Sequence, residues 1–156
     1  MIWSGQEIAK ILQNLKNHQI QPCGIDLTID NVTKLKEVGE ITQHEVKLPT
    51  YEDIPLLEDN KWYLEPGPYI IRYEQIIKIP ENAAGIVLPR SSLLRMGANI
   101  FTALWDPGYE GRGISLLYVF NKHGIRIEKG ARVAQLILID ARSSGKYSGR
   151  YQKEGL

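Results

Sequence analysis

The chain has 156 residues, 43% of them hydrophobic and 24% charged, with a formal net charge of +1. That length fits one domain around a single core, and the near-neutral balance excludes a broad attraction to nucleic acid or an anionic membrane. One cysteine, Cys23, excludes an intrachain disulfide and a cysteine-rich metal site. No apolar run is long enough to span a bilayer, and MIWSGQEIAKIL lacks a basic leader and a cleavage signal, so a reducing cytoplasmic setting is the expectation.

Ser4-Gly5-Gln6-Glu7 has the form of a capping box, with Ile8, Ile11, Leu12 and Leu15 at helical spacing, so one amphipathic helix is predicted from Ser4 to Lys16. The period then drops to two. Ile25, Leu27 and Ile29 alternate with polar neighbours, as in a half-buried strand. Residues 49–61 are acidic and rich in breakers, and read as a loop. Short β-prone runs follow at 61–65, 69–79, 84–88, 114–120, 125–128 and 132–139, separated by turn signals such as Pro66-Gly67-Pro68, Asp106-Pro107-Gly108 and Lys129-Gly130. Ser91–Gly97 is predicted as a short second helix. Many short strands with close turns favour a sandwich or barrel over a βαβ fold. No repeat or internal boundary divides residues 1–141, and the Gly-, Ser- and Tyr-rich stretch 142–156 is expected to form a flexible tail.

Several chemistries are excluded by pattern. His18, His44 and His123 have no metal-ligand spacing, Cys23 has no C-x-x-C partner, and no H-x-E triplet exists, so zinc-dependent base deamination of the usual kind is out. Neither a Walker loop nor a G-x-S-x-G elbow is present. Arg90-Ser91-Ser92, closed by Arg95, is good chemistry for a polyphosphate, because guanidinium forks pair with phosphate oxygens. On the residues alone, a capped surface helix with solvated charges is the weightier reading. Asp106-Pro107-Gly108-Tyr109 reads first as a tight turn. A carboxylate on a rigid turn is also placed to act as a general base, with Tyr109 as a stacking surface. Gln135 is polar within the apolar run Val133–Leu136, so either the core or a ligand must satisfy its amide.

Taken in order, MIWSGQEIAKIL, QPCGIDL, IVLPRSSLLR, TALWDPGYEG, GARVAQLIL and GRYQK resemble the dUTP diphosphatase and dCTP deaminase superfamily over most of the chain. The resemblance implies a mainly β protomer, a distorted β-barrel or jelly roll with one N-terminal helix. It also implies a homotrimer with active sites between subunits and a C-terminal tail that closes over bound nucleotide. By motif, Asp106 would activate water for attack on the α-phosphate, and Tyr109 would pack on the deoxyribose. Arg90, Ser91, Ser92 and Arg95 would hold the triphosphate, with Gln135 at the phosphates or the base. Arg150, Tyr151 and Gln152 would come from the tail, and Asp26 would organise the site. Mg²⁺ would be held largely by the phosphates of the nucleotide.

The deaminases of this superfamily depend on a glutamate in the strand after the turn, whereas Arg112–Phe120 contains no carboxylate. The expected reaction is therefore hydrolysis of dUTP to dUMP and diphosphate. A dCTP deaminase or bifunctional enzyme stands as one alternative, and a non-catalytic deoxynucleotide-sensing module as another. No nucleic acid polymer and no membrane is expected as a partner. Three departures from the family pattern are visible: the segment from Arg90 to Asp106 is a little shorter than the family's, Trp105 stands where an isoleucine usually precedes the aspartate, and the tail lacks the Gly-rich form of the compact diphosphatases.

Overall fold

A computed structural model describes all residues from Met1 to Leu156. Fourteen strands, two short α-helices and one 3₁₀ turn make up the regular structure. The main sheet has eight strands, with the path β10 (Ala98–Phe101), β12 (Ile114–Val119), β7 (Gly67–Tyr73), β2 (Gly24–Leu35), β14 (Arg132–Asp140) and β9 (Ala83–Pro89); β1 (Ile20–Gln21) and β5 (Tyr51–Asp53) add to β2. All pairings are antiparallel. The end strands β9 and β10 come together, so the sheet curls into a nearly closed barrel. Three ribbons complete the fold: β8 (Ile77–Lys78) with β11 (Glu110–Gly111), β6 (Lys61–Leu64) with β13 (Ile125–Glu128), and β3 (Glu40–Ile41) with β4 (Val46–Lys47). No helix is long and apolar enough to cross a membrane.

Alternation explains the inner wall. Tyr69, Ile71 and Tyr73 on β7, and Ser115, Leu117 and Val119 on β12, all point inward and are buried. β2 departs from the expected half-burial, because its first half is covered on both faces. Its polar positions are satisfied there. Gln75 accepts from the Thr28 N–H at 2.9 Å and donates to the Thr28 hydroxyl at 2.8 Å, and Gln19 donates to the Asp26 carbonyl. The Thr28 hydroxyl donates in turn to the Glu74 carboxylate, and at these two residues, Glu74 and Gln75, the single strand expected at 69–79 breaks into β7 and β8.

The N-terminal helix is much shorter than its sequence pattern. α1 runs only over Gly5–Ala9, although the Ser4–Glu7 capping box forms as expected. Ile8 and Leu12 still reach the core, but through successive turns. Asn14 then takes a left-handed φ of 62°, which ends any helical path. The second helix, α2, spans Ser91–Arg95. β10, which the sequence reading left unassigned, pairs with β12 and buries Ala98 and Ile100. β5, inside the expected loop, is exposed at every residue and so carries no periodic signal.

Candidate active site

Two clusters of candidate residues lie apart on the chain. The first is built on the turn after β10. The Tyr109 N–H donates to the Asp106 carbonyl, Pro107 occupies the second position, and Gly108 has φ 85°, as a type II turn demands of its third residue. The turn is pinned on two sides. Trp105 exchanges main-chain hydrogen bonds of 2.8 and 3.0 Å with Gly85 of β9. Gly108 donates to Ile79, and Ile79 donates to Tyr109. Asp106 thus sits on rigid backbone while its own side chain is exposed, and no side-chain hydrogen bond or ion pair within the chain holds its carboxylate.

Around this turn runs an aromatic ladder. Tyr73 meets Trp105 edge-on at 6.3 Å, Trp105 stacks on Tyr109 at 6.0 Å and 18°, and Tyr147 meets Tyr109 edge-on at 5.7 Å. Burial pushes the Tyr109 phenol up to about 12, with Glu154 and Tyr147 adding to the effect. Asp106, Trp105, Tyr109, Tyr147, Tyr151 and Glu154 line one mainly apolar cavity of about 350 Å³. On the other side of Asp106, a more open cavity of about 600 Å³ is lined by the tail from Arg142 to Gly149.

The tail reaches the turn of its own chain. Tyr147 donates its N–H to the Pro107 carbonyl and Lys153 to that of Glu110, while Arg112 donates to the Glu154 carbonyl. Gln152 spans the turn with both ends of its amide: Nε2 donates to the Gly108 carbonyl at 2.9 Å and Oε1 accepts from the Glu110 N–H at 2.9 Å. Its amide, expected at the substrate, is therefore engaged with main chain. Lys153 pairs with the Glu110 carboxylate and holds it below its ordinary value, whereas burial raises the Glu154 carboxyl. Tyr151 faces the smaller cavity, and Arg150 donates elsewhere, to the Val46 carbonyl at 3.2 Å.

The second cluster lies where β2, β14 and β9 run side by side. Asp26 is 1% exposed, and its Oδ2 takes Arg90 Nε at 3.2 Å, Arg132 at 3.2 Å and Gln21 at 3.1 Å. Burial pushes this carboxyl above its ordinary range, against the opposing pull of Arg90 and Arg132. Gln135 pairs directly with Asp26 across the ladder, and its Nε2 lies 3.5 Å from the Cys23 carbonyl. In a regular strand Arg132 and Gln135 would point to opposite faces. A bulge between Arg132 and Ala134 inserts one residue and brings both to the Asp26 side. Arg90 is set by its N–H bond to the Val133 carbonyl, while Ser91, Ser92 and Arg95 follow on α2 and are exposed. Neither cavity beside Asp106 is lined by any residue of this second cluster.

A family model described as dCTP deaminase-like matches residues 2–141. The chain belongs to the dCTP deaminase-like family. A deoxyuridine 5′-triphosphate nucleotidohydrolase of Methanocaldococcus jannaschii is 44% identical over 97% of this chain and 99% of its own. An Aeropyrum pernix protein named "Probable deoxyuridine 5'-triphosphate nucleotidohydrolase" is 38% identical over 100% of both chains. Among solved structures, the 2′-deoxycytidine 5′-triphosphate deaminase of Agrobacterium tumefaciens superposes with a TM-score of 0.68 at 18% identity, covering 90% of this chain and 48% of that one, a likeness of fold.

In this dCTP deaminase-like chain, the sequence pattern does not single out Arg132, which pairs with Asp26, or Tyr147 and Glu154, which line the cavity beside Asp106, and it marks Trp105 only as a departure. Arg132 sits in the GARVAQL motif, but a regular strand would turn it away from Gln135. Tyr147 and Glu154 were indistinguishable from other tail residues until the tail's return path was known.

Proposed function

We propose that the chain is a dUTP diphosphatase, which hydrolyses dUTP to dUMP and diphosphate at sites completed by neighbouring copies in a homotrimer. The observation that carries this reading is Asp106, an unpartnered carboxylate on a rigid turn, beside Tyr109 and a cavity of nucleotide scale. Full-length relatives named for this activity support it.

Asp106 accepts a proton from a water molecule, which attacks the α-phosphorus in line with the bridging oxygen. The new P–O bond forms as the bond from that phosphorus to the bridging oxygen breaks, and diphosphate leaves with the electron pair. Tyr109 packs against the deoxyribose. Arg90, Ser91, Ser92 and Arg95 take the phosphates; Arg90 is paired with Asp26 through Nε at 3.2 Å, and no hydrogen bond within the chain occupies its terminal N–H groups. Gln135 contacts the phosphates or the base. Arg150 and Tyr151 act from the tail, while Gln152 steadies the turn as the tail closes over the nucleotide. The separation of the two clusters within one protomer supports a site shared between copies.

The donor set fits a Mg²⁺ that arrives on its nucleotide. No three carboxylates, imidazoles or thiols converge anywhere in the chain. Such an ion would rest on phosphate oxygens and its own water, where it offsets the charge of the triphosphate. Deamination finds less support. On β12, Ser115 is bonded to the Tyr73 hydroxyl at 2.8 Å and Leu117 is packed in the core, so the strand offers no carboxylate for proton transfer.

The test is product analysis with dUTP, dCTP, UTP and dTTP, with and without Mg²⁺, for the wild type and Asp106→Asn. Diphosphate release from dUTP, no ammonia from dCTP, and loss of turnover with retained binding in the variant are expected. Normal turnover by Asp106→Asn would overturn the assignment.

A further inference from the structure

The chain has three tryptophans, and their indole N–H groups have different fates. Trp3 donates to Asp140 Oδ1 at 2.8 Å, and Trp62 donates to the Ile54 carbonyl at 2.9 Å. Trp105, only 8% exposed, has no acceptor within the chain. No sealed side-chain nitrogen or oxygen in the protein lacks a partner, so the Trp105 nitrogen must reach open space. The Trp105 ring lines a cavity together with Asp106 and Tyr109. An indole N–H withdrawn from bulk water ordinarily has an acceptor.

The donor is also held in place. The Trp105 backbone is bonded on both sides to Gly85, and the ring is stacked on Tyr109, edged by Tyr73 and seated on Gly113. A side chain fixed in this way loses little freedom when it binds, so its hydrogen bond is directed at one position. An aliphatic residue in this place has nothing to donate.

We propose that the Trp105 indole N–H donates a hydrogen bond to the 3′-hydroxyl oxygen of a nucleotide lying against Asp106 and Tyr109. This makes Trp105 a substrate-contacting, specificity-determining residue; the assignment rests on the nucleotide reading of the site given above. A neutral donor held rigidly among aromatic rings suits a neutral sugar oxygen, whereas phosphates call for the cations gathered elsewhere. Of the two sugar oxygens not bonded to phosphorus, the hydroxyl is the better acceptor than the ring ether.

Trp105→Phe keeps an aromatic ring and removes the donor. Its affinity for the non-hydrolysable imido analogue of dUTP is expected to fall about threefold to tenfold, the worth of one neutral hydrogen bond. For the corresponding 2′,3′-dideoxy analogue, wild type and variant are expected to bind alike. Equal affinity for the dUTP analogue, or an equal loss with both analogues, overturns the proposal. Diphosphate release from dUTP by the wild type is measured in parallel. Release together with an unaffected Trp105→Phe removes only the tryptophan assignment, whereas no binding or release by the wild type removes both readings. A measurement on the unaltered protein guards against misfolding of the variant. In ¹⁵N-labelled chain, one indole N–H resonance should move at saturating analogue, and it should be neither the Trp3 nor the Trp62 signal, assigned from Trp3→Phe and Trp62→Phe. Three unmoved resonances contradict the contact.

Discussion

Gly113 is the floor beneath the Trp105 indole, and Gly113→Ala tests whether that packing holds the Asp106–Tyr109 turn. An alanine Cβ would lie 2.2 Å from Cζ2 of Trp105, 2.8 Å from Cη2 and 3.0 Å from Cε2. Ordinary contact begins near 3.4 Å, so the ring must retreat by about 1.2 Å. It has little room to do so: Tyr73 stands at its edge, Tyr109 lies on its face, and the Gly85 bonds hold its backbone. Overpacking of this kind costs about 1–3 kcal/mol. For a chain of this size, about 2 kcal/mol lowers the melting temperature by roughly 4–8 °C. Activity should suffer more than stability, because Asp106 directly follows Trp105 and a 1 Å misplacement costs on the order of 10²-fold in rate. Calorimetry and diphosphate release measure the two effects. Adding Trp105→Leu should restore much of the lost stability, since residues in contact are not additive. A Gly113→Ala protein that melts within about 1 °C of the wild type would refute the packing argument.

Two further predictions concern the tail. Gln152→Ala removes both hydrogen bonds across the turn, together about 1–3 kcal/mol of docking; amide exchange at Lys153 should accelerate about tenfold or more, and unchanged exchange would show that the clip is not needed. Docking should also depend on pH. Burial raises the Glu154 carboxyl, so the docked tail holds its proton more tightly than a free tail. That contribution is complete below the ordinary glutamate value of 4.5 and is lost as pH rises through the raised value. Glu110, lowered by Lys153, works in the opposite sense: its contribution is complete above 4.5 and is lost as pH falls through the depressed value. Chemical shifts of the Gly111 and Gly155 amides should therefore report loosening above the ordinary glutamate value. Glu154→Gln should abolish that dependence, and a pH response that persists in the variant would assign it to another group.

The elements legible in the sequence are those set by close neighbours. The Ser4–Glu7 capping box, the Asp106–Tyr109 turn and the alternation of β12 each depend on residues a few positions apart, and each forms as written. Helix length was not legible, because Ile11, Leu12 and Leu15 keep helical spacing while the fold uses turns to bring Leu12 to the core. β10 lay hidden because its four residues offer too short an alternation to stand out beside a helix.

The candidate site divides in the same way. Residue types and their order fixed which side chains were chemically able to hold phosphate or activate water, since an acid, a guanidinium or an indole has its chemistry wherever it lies. Their partners came only from the folded chain. Asp26 between Arg90 and Arg132, the bulge that turns Arg132 toward Gln135, the seat of Trp105 on Gly113 and the return of Gln152 to the turn all join residues far apart in the chain. Contacts of that kind are decided by how strands pair and which faces meet. No local pattern of residues encodes that pairing, and so the sequence determined the groups available while the tertiary structure decided which of them meet.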